Sequence, residues 1–300
     1  MLELVRIFVD VLTPVVAVAG VGAFAAKRWS LDYRPLSTIA YNFLAPAFIF
    51  RLLSAPTSLD GPVAAMIGAT LITLVVMFGL TWVLELKQPP ERRVLDAMAT
   101  TFGNVGNLGF PIVLFALGSD ALPEAGVHFL TVTTGAFVLG IGAAAHLRSR
   151  TMTESFRRMI TTPALAVVLP AVLLNAGDVA QPQVLTRFVD LLAEAMIPVM
   201  LLTLGMQLVS TRLTPDASRL GLISILKLVI APLVFFGVAS ALGLTGDAMN
   251  AGLLLAAMPT AVLVGLISLE YDLESEVASA AILATSAAAL LTVGLLLTVV

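Results

Sequence analysis

The chain has 300 residues, 59% of them hydrophobic and 12% charged, with a formal net charge of −3 and no cysteine. Soluble chains carry about 25% charged residues, so this composition excludes a water-facing surface of ordinary size. It also excludes a basic field for nucleic acid, disulfides, thiolate metal sites and cysteine nucleophiles.

A hydrocarbon core asks for about 20 apolar residues per helix, and apolar runs of that length are not the alternating strands of a β-barrel. Runs divided by charge or by Pro/Gly punctuation predict an all-α polytopic membrane protein of ten helices. In chain order they lie at about 5–26, 38–54, 63–86, 94–117, 125–147, 163–176, 184–208, 219–242, 248–269 and 276–299, and are numbered 1 to 10 below. Helix 6 is short, and helix 9 is interrupted by Pro259. The first run follows Glu3, with Asp10 inside it and Arg6 as the sole nearby cation. A secretory signal starts with positive charge, so the run reads as a retained helix.

The cations orient the chain. Odd-numbered loops hold Lys27, Arg28, Arg34, Lys87, Arg92, Arg93, Arg148, Arg150, Arg157, Arg158, Arg212 and Arg219, against Arg51 and Arg187 for the even loops and their flanks. Positive loops stay inside, which puts the odd loops in the cytoplasm and both termini outside the plasma membrane. Trp29 and Trp82 fall near cytoplasmic ends, where aromatic anchors belong.

Prolines mark an internal repeat. Pro14 and Pro163 stand 149 positions apart, Pro46 and Pro198 152, and Pro111 and Pro259 148. The Thr133-Thr134-Gly135 run precedes Thr285-Ser286-Ala287 by 152. Repeat 1 thus covers about 1–150 and repeat 2 about 151–300. Five helices is an odd number, so the second repeat enters from the opposite face, an inverted topology typical of secondary transporters.

Helix 4 carries Phe102-Gly103-Asn104-Val105-Gly106-Asn107-Leu108-Gly109-Phe110-Pro111. Three glycines and a proline cannot stay regular helix, and freed backbone at membrane depth is tolerated where it lines a cavity or packs in protein. Helix 9 breaks at the matching position, Met258-Pro259-Thr260, followed by Gly265. The distal half-helices would point N–H groups and partial positive charge at the midplane, an anion site needing no Lys or Arg. Asn104 and Asn107 would add amide groups, with Gly109, Pro111, Pro259 and Thr260 shaping the site. The competing reading is that the glycines merely let helices pack closely. Thr133, Thr134, Thr285 and Ser286 flank the breaks as further polar candidates, although Ser and Thr often bond back to their own helix.

Gly103-Asn104 through Gly109-Phe110-Pro111 resembles the fourth-helix motif of the auxin efflux carrier family, which includes the plant PIN carriers and many bacterial transporters. Tyr41-Asn42-Phe43-Leu44-Ala45-Pro46 and Met258-Pro259-Thr260 running to Leu269-Glu270-Tyr271 fit as well. The resemblance covers all ten helices in order and spacing, with the helix 4 segment its individually specific part. It implies a fold similar to that of the bile acid:sodium symporters. There a scaffold of helices 1, 2, 6 and 7 (about 5–54 and 163–208) carries a moving core of helices 3–5 and 8–10 (about 63–147 and 219–299). It further implies crossed helices 4 and 9 at the substrate site, elevator-like motion, small organic anions as substrates and a homodimer through the scaffold. On that resemblance Asn104 matches the crossover asparagine, and Pro111 and Pro259 the two crossover prolines. Helix 9 departs from the sodium-coupled relatives: no acidic or amide side chain lies between Met258 and Ser268. Helix 2 lacks an acid but offers Asn42.

Ionisable residues within spans are functional candidates by default. Glu194 stands four before Pro198, as Asn42 stands four before Pro46, roughly 15 Å below the outer end of helix 7 at 1.5 Å per residue. Arg187, Asp190 and Glu194 share a helical face and are expected to neutralise one another in a wetted cavity or dimer seam; proton coupling through Glu194 is the sharper alternative. Lys227 lies about 12 Å from the cytoplasmic end of helix 8, a depth from which lysine snorkels to the surface; pairing with an acid or the substrate is its other reading. Arg51, His128 and His146 are expected at interfaces, and Asp96 at a helix start.

The chain is therefore expected to be a transporter of small carboxylates with no catalytic, metal or cofactor residues, its coupling to H+ or Na+ left open. A sodium-coupled symporter of larger amphipathic anions is the alternative within the fold. An intramembrane enzyme would show a nucleophile–base pair or clustered acids, and no His-Glu-x-x-His or Gly-x-Ser-x-Gly pattern occurs. A sensor would carry an appended domain, for which these runs leave little room.

Overall fold

The computed structural model describes residues 8–54, 63–147, 163–177, 179–210 and 216–300. Arg6, and the four arginines of the 148–158 loop and Arg212 used above for orientation, lie outside the described residues, as does the start of helix 1. The described residues are helical apart from short connections, and they contain no β-strand. This is the expected answer of a chain in hydrocarbon, where every backbone polar group must be satisfied within its own segment.

Seven helices are long and apolar enough to cross a membrane: Val9–Trp29, Tyr33–Ser54, Val63–Leu84, Ser119–Leu147, Gln183–Val209, Ala217–Ala241 and Ser275–Leu296. They coincide with runs 1, 2, 3, 5, 7, 8 and 10. Run 6 forms a shorter apolar helix, Pro163–Ala176. Runs 4 and 9 are each divided: helix 4a, Pro90–Thr101, and 4b, Val105–Leu117; helix 9a, Gly246–Ala256, and 9b, Val262–Glu270.

Proline shapes the long helices in a regular way. Widened π-turns at Phe8–Leu12, Ala40–Leu44, Val105–Gly109 and Leu226–Ile230 each end two residues before a proline, namely Pro14, Pro46, Pro111 and Pro232. A proline ring collides with the carbonyl four residues back and supplies no N–H. The preceding turn opens instead, so that Ala45, Phe110 and Ala231 donate five residues back, to Ala40, Val105 and Leu226. Pro198, by contrast, sits inside an unbroken helix 7.

Helix 7 packs along helix 1 and helix 2, and helix 6 packs on helix 2. At the first contact Gly22 faces the Leu202 backbone and Gly205 faces Ala19 and Ala23, a small-residue crossing that brings backbones together. Helix 3 packs on helices 4a, 5 and 8, and helix 10 on helices 8 and 9b. One end of that second group is tied by charge. Arg219 at the start of helix 8 donates from Nε and Nη2 to Asp96 at 3.0 and 2.8 Å and pairs with Glu274 just before helix 10. Arg92 Nε reaches Glu85 at 3.0 Å and Asp96 at 3.6 Å. Asp96 is thus the hub of an ion network that joins four helices, rather than a residue placed at a helix start; helix 4a begins six residues earlier, at Pro90. At the other end Asn250 of helix 9a donates to the Val300 carbonyl at 3.3 Å. Trp82 stacks on Phe78 and lies under the Arg93 guanidinium, while Trp29 is exposed.

Candidate functional site

The two breaks meet. Gly103 and Thr260 form an isolated antiparallel bridge, in which Asn104 N–H donates to the Pro259 carbonyl at 2.6 Å and Ala261 N–H to the Phe102 carbonyl at 2.8 Å. Each break thereby satisfies backbone groups that the other has freed. Side chains finish the work on the helix 9 side. Thr260, fully buried, donates its hydroxyl to the Ala99 carbonyl at 2.8 Å and its N–H to Thr285 Oγ1 at 3.0 Å. Thr285 bonds on to Ala281 at 2.7 Å.

Lys227 closes the end of helix 9a. Its side chain is 2% exposed, and Nζ donates to the Ala256 carbonyl at 2.8 Å, so the snorkelling expectation fails. The π-turn Leu226–Ile230 that holds Lys227 changes the facing of the helix, and the open C-terminus of helix 9a offers the ammonium a carbonyl within the protein. Gly103 presents bare backbone to it: a first side-chain carbon there would stand 3.3 Å from Nζ. A lysine amine therefore stands at the crossing, held within the protein. Next to it His128, also expected at an interface, is buried and bonded through Nδ1 to Thr70 Oγ1 at 3.0 Å.

On the opposite side of the crossing lies a cavity of about 340 Å³. Helix 2 contributes Tyr41, Asn42 and Ala45, the breaks Phe102–Gly106 and Ala261–Leu263, helix 5 Thr133 and Phe137, and helix 6 Pro163 and Ala164. The first residues of helices 4b and 9b, Val105 and Gly106, then Val262 and Leu263, border it, placing two helix N-termini and their partial positive charge at its wall. Asn104, 4% exposed, leaves its Nδ2 buried without a hydrogen-bond partner. Asn42 Nδ2 is already bonded to the Thr38 carbonyl at 2.8 Å. The described lining includes no Asp, Glu, Lys or Arg.

Of the candidates read from sequence, Asn104, Asn42 and Thr133 gather in this cavity. Thr260, Pro259 and Thr285 build the bridge behind it. Asn107 and Pro111 are buried outside the lining. Gly109 packs against Leu255 and Met258 of helix 9, the close-approach role glycines often serve. Thr134 faces a different recess, and Ser286 is buried with its hydroxyl unpartnered. Tyr41, Phe129 and Phe137 line the cavity without having been singled out in the sequence, because apolar and aromatic residues carry no signal of their own in an apolar chain.

The chain matches the family described as Membrane transport protein over residues 7–138 and 148–297. It belongs to that family. This membrane transport protein is 27% identical over 269 residues to a protein of Rhizobium meliloti (strain 1021) named "Putative malonate transporter", covering 86% of this chain and 84% of the relative. It is likewise 27% identical over 266 residues to an uncharacterized transporter of Methanothermobacter thermautotrophicus, covering 84% and 83%. The family and these relatives are transporters rather than enzymes, and the helices make this transporter a multi-pass membrane protein.

The acid of helix 7 lies away from the crossing. Glu194 is exposed, and Arg51 of helix 2 stands 3.9 Å from both Glu194 and Asp190. The partner of these two acids is thus an arginine from a neighbouring helix, and Arg51 itself lies over the Phe48 ring.

Proposed function

We propose that this protein is a secondary transporter of small organic anions, carboxylates foremost, bound in the cavity between the helix 4/9 crossing and helices 2 and 6. One observation carries the reading: the Asn104 amide, buried and unpartnered, opens toward two helix N-termini in a cavity whose described lining has no acidic side chain. Such a pole binds a carboxylate by charge-assisted hydrogen bonds, and the Lys227 amine lies behind Gly103. The apolar walls at Phe129, Phe137 and Leu266 suit the remainder of a compact organic acid. The relative named for malonate fits this class.

The chain is read as ten membrane-crossing helices in two inverted five-helix repeats. Supporting this, the Gly103–Thr260 bridge is reciprocal, as a local two-fold axis between helices 4 and 9 demands. The connection between helices 3 and 4, the start of helix 8 and the connection between helices 9 and 10 also gather at one end. Helices 1, 2, 6 and 7 serve as scaffold, and helices 3–5 and 8–10 as a core that moves in alternating access, its rigidity helped by the Asp96–Arg219 network. The cation-rich loops face the cytoplasm of a plasma-membrane protein with both termini outside, and apolar residues exposed on helix 7, Val184 and Leu191, offer a seam for a homodimer. The described lining offers no carboxylate to ligate a sodium ion, which favours the carboxylate reading over the sodium-coupled one.

The test is a thermal-shift screen of mono- and dicarboxylates, malonate included, on the purified protein, with and without sodium and at two pH values, followed by uptake into proteoliposomes. Stabilisation by a carboxylate without sodium, with uptake of the same compound, is the expected result. Stabilisation that requires sodium returns the sodium-coupled reading.

A further inference from the structure

A second recess, of about 670 Å³ against 340 Å³ for the crossover cavity, opens on the flank of the molecule. Helices 3 and 5 form one wall, through Ile67, Leu71, Leu130 and Thr134; helix 6 forms the other, through Leu165 and Leu169. The described lining contains no ionisable side chain, and the hydroxyl of Thr131, one of its two described polar residues, is bonded within its own helix to the Val127 carbonyl at 2.8 Å. Ile67, Leu71 and Leu169 stay 38%, 42% and 66% exposed. The recess exists because helix 6 packs on helix 2 and lies apart from helices 3 and 5.

Its depth decides its occupant. Helices 3 and 5 are apolar and long enough to cross a membrane, and the lining runs from Val63 at the start of helix 3 inward to Leu71, and from Val127 to Thr134 in the middle of helix 5. A recess at that level opens onto hydrocarbon rather than water. Beyond the Thr134 hydroxyl, water finds apolar side chains along such walls, and an empty gap forfeits the dispersion contacts of its lining. We propose that the recess is a binding site for one acyl chain of a membrane phospholipid. The site backs directly onto the crossover cavity: Thr133 and Ala164 line the cavity while their chain neighbours Thr134 and Leu165 line the recess. An acyl chain seated there stands between helix 6 and helix 5, one residue from the substrate cavity.

Labelling the intact protein in vesicles tests this. The full chain is reconstituted in phosphatidylethanolamine and phosphatidylglycerol doped with a phospholipid bearing a mid-chain diazirine, irradiated, and mapped by peptide mass spectrometry. Leu233 and Leu291, 62% and 66% exposed, serve as ordinary lipid-facing references. Adduct yield at Leu130, Thr134 and Leu169 several-fold above the references, and falling to reference level in Thr134→Trp, is expected. Yield at the recess equal to the references, or unchanged in Thr134→Trp, overturns the proposal. Should Thr134→Trp fail to fold, Leu130→Phe narrows the same space and is read the same way. The label reports on the resting protein, so the result stands apart from any outcome of the carboxylate screen.

Discussion

The two broken helices solve one problem with different chemistry. Helix 4 opens with three glycines, two asparagines and a proline, and leaves an amide, Asn104 Nδ2, without a partner. Helix 9 opens with little more than Pro259 and Thr260, and its key polar groups are engaged: Thr260 with Ala99 and Thr285, the Pro259 carbonyl with Asn104, the Ala256 carbonyl with Lys227. One break holds capacity in reserve, and the other spends its polar groups on staying in place. On the proposed reading the two breaks divide the labour, with helix 4 offering contacts to a ligand and helix 9 fixing the geometry in which they are offered.

Substitutions separate the two roles. Asn104→Ala should weaken carboxylate binding by about 10–100-fold, the worth of a hydrogen bond to a charged group at about 1.5–3 kcal/mol. The melting temperature without ligand should hardly move, because Nδ2 has no protein partner to lose; titration calorimetry and a thermal melt read the two halves of this prediction. Thr285→Val should do the reverse. It strands the Thr260 N–H in a buried place and should lower stability by about 1–3 kcal/mol, seen as a drop in melting temperature in detergent that a saturating carboxylate does not abolish. Thr260→Val removes the hydroxyl bond to Ala99 and should cost about 0.5–1.5 kcal/mol of stability, with ligand affinity following only as far as the bridge loosens. Asn42→Ala should be the mildest, about a 2–10-fold loss of affinity, the range of a neutral hydrogen bond, since its Nδ2 already serves Thr38. Equal losses of stability and affinity in Asn104→Ala and Thr285→Val would erase the distinction between the breaks.

Much of this architecture was legible in the chain. Apolar runs must become helices at membrane depth, and helices 4 and 9 break where Gly, Asn and Pro accumulate. Spacing did not reveal that Gly103 and Thr260 pair, because a backbone bridge uses groups that every residue owns. Counting along a straight helix also misplaced Lys227: the depth was reasonable, but the π-turn before Pro232 and the open end of helix 9a decide where its ammonium points. Lysine five residues before an intramembrane proline was the available signal. Asn107 and Gly109 were grouped with Asn104 by proximity in sequence, yet the next turn of helix 4b carries them away from the cavity, Gly109 against Leu255. For Glu194 and Asp190 the partner came from helix 2, a tertiary fact no single helical face contains.

The reciprocal bridge also bears on how the protein is made. Helix 4 leaves the ribosome some 150 residues ahead of helix 9, yet the backbone groups at Phe102 and Asn104 find their partners only in Pro259 and Ala261. During synthesis the broken segment must therefore wait, sheltered by water or by the insertion machinery, until the second half arrives. A chain truncated after helix 8 would carry exposed polar backbone at membrane depth and should be recognised as unfinished and degraded. The crossing that builds the cavity thus closes only when both halves of the chain are present.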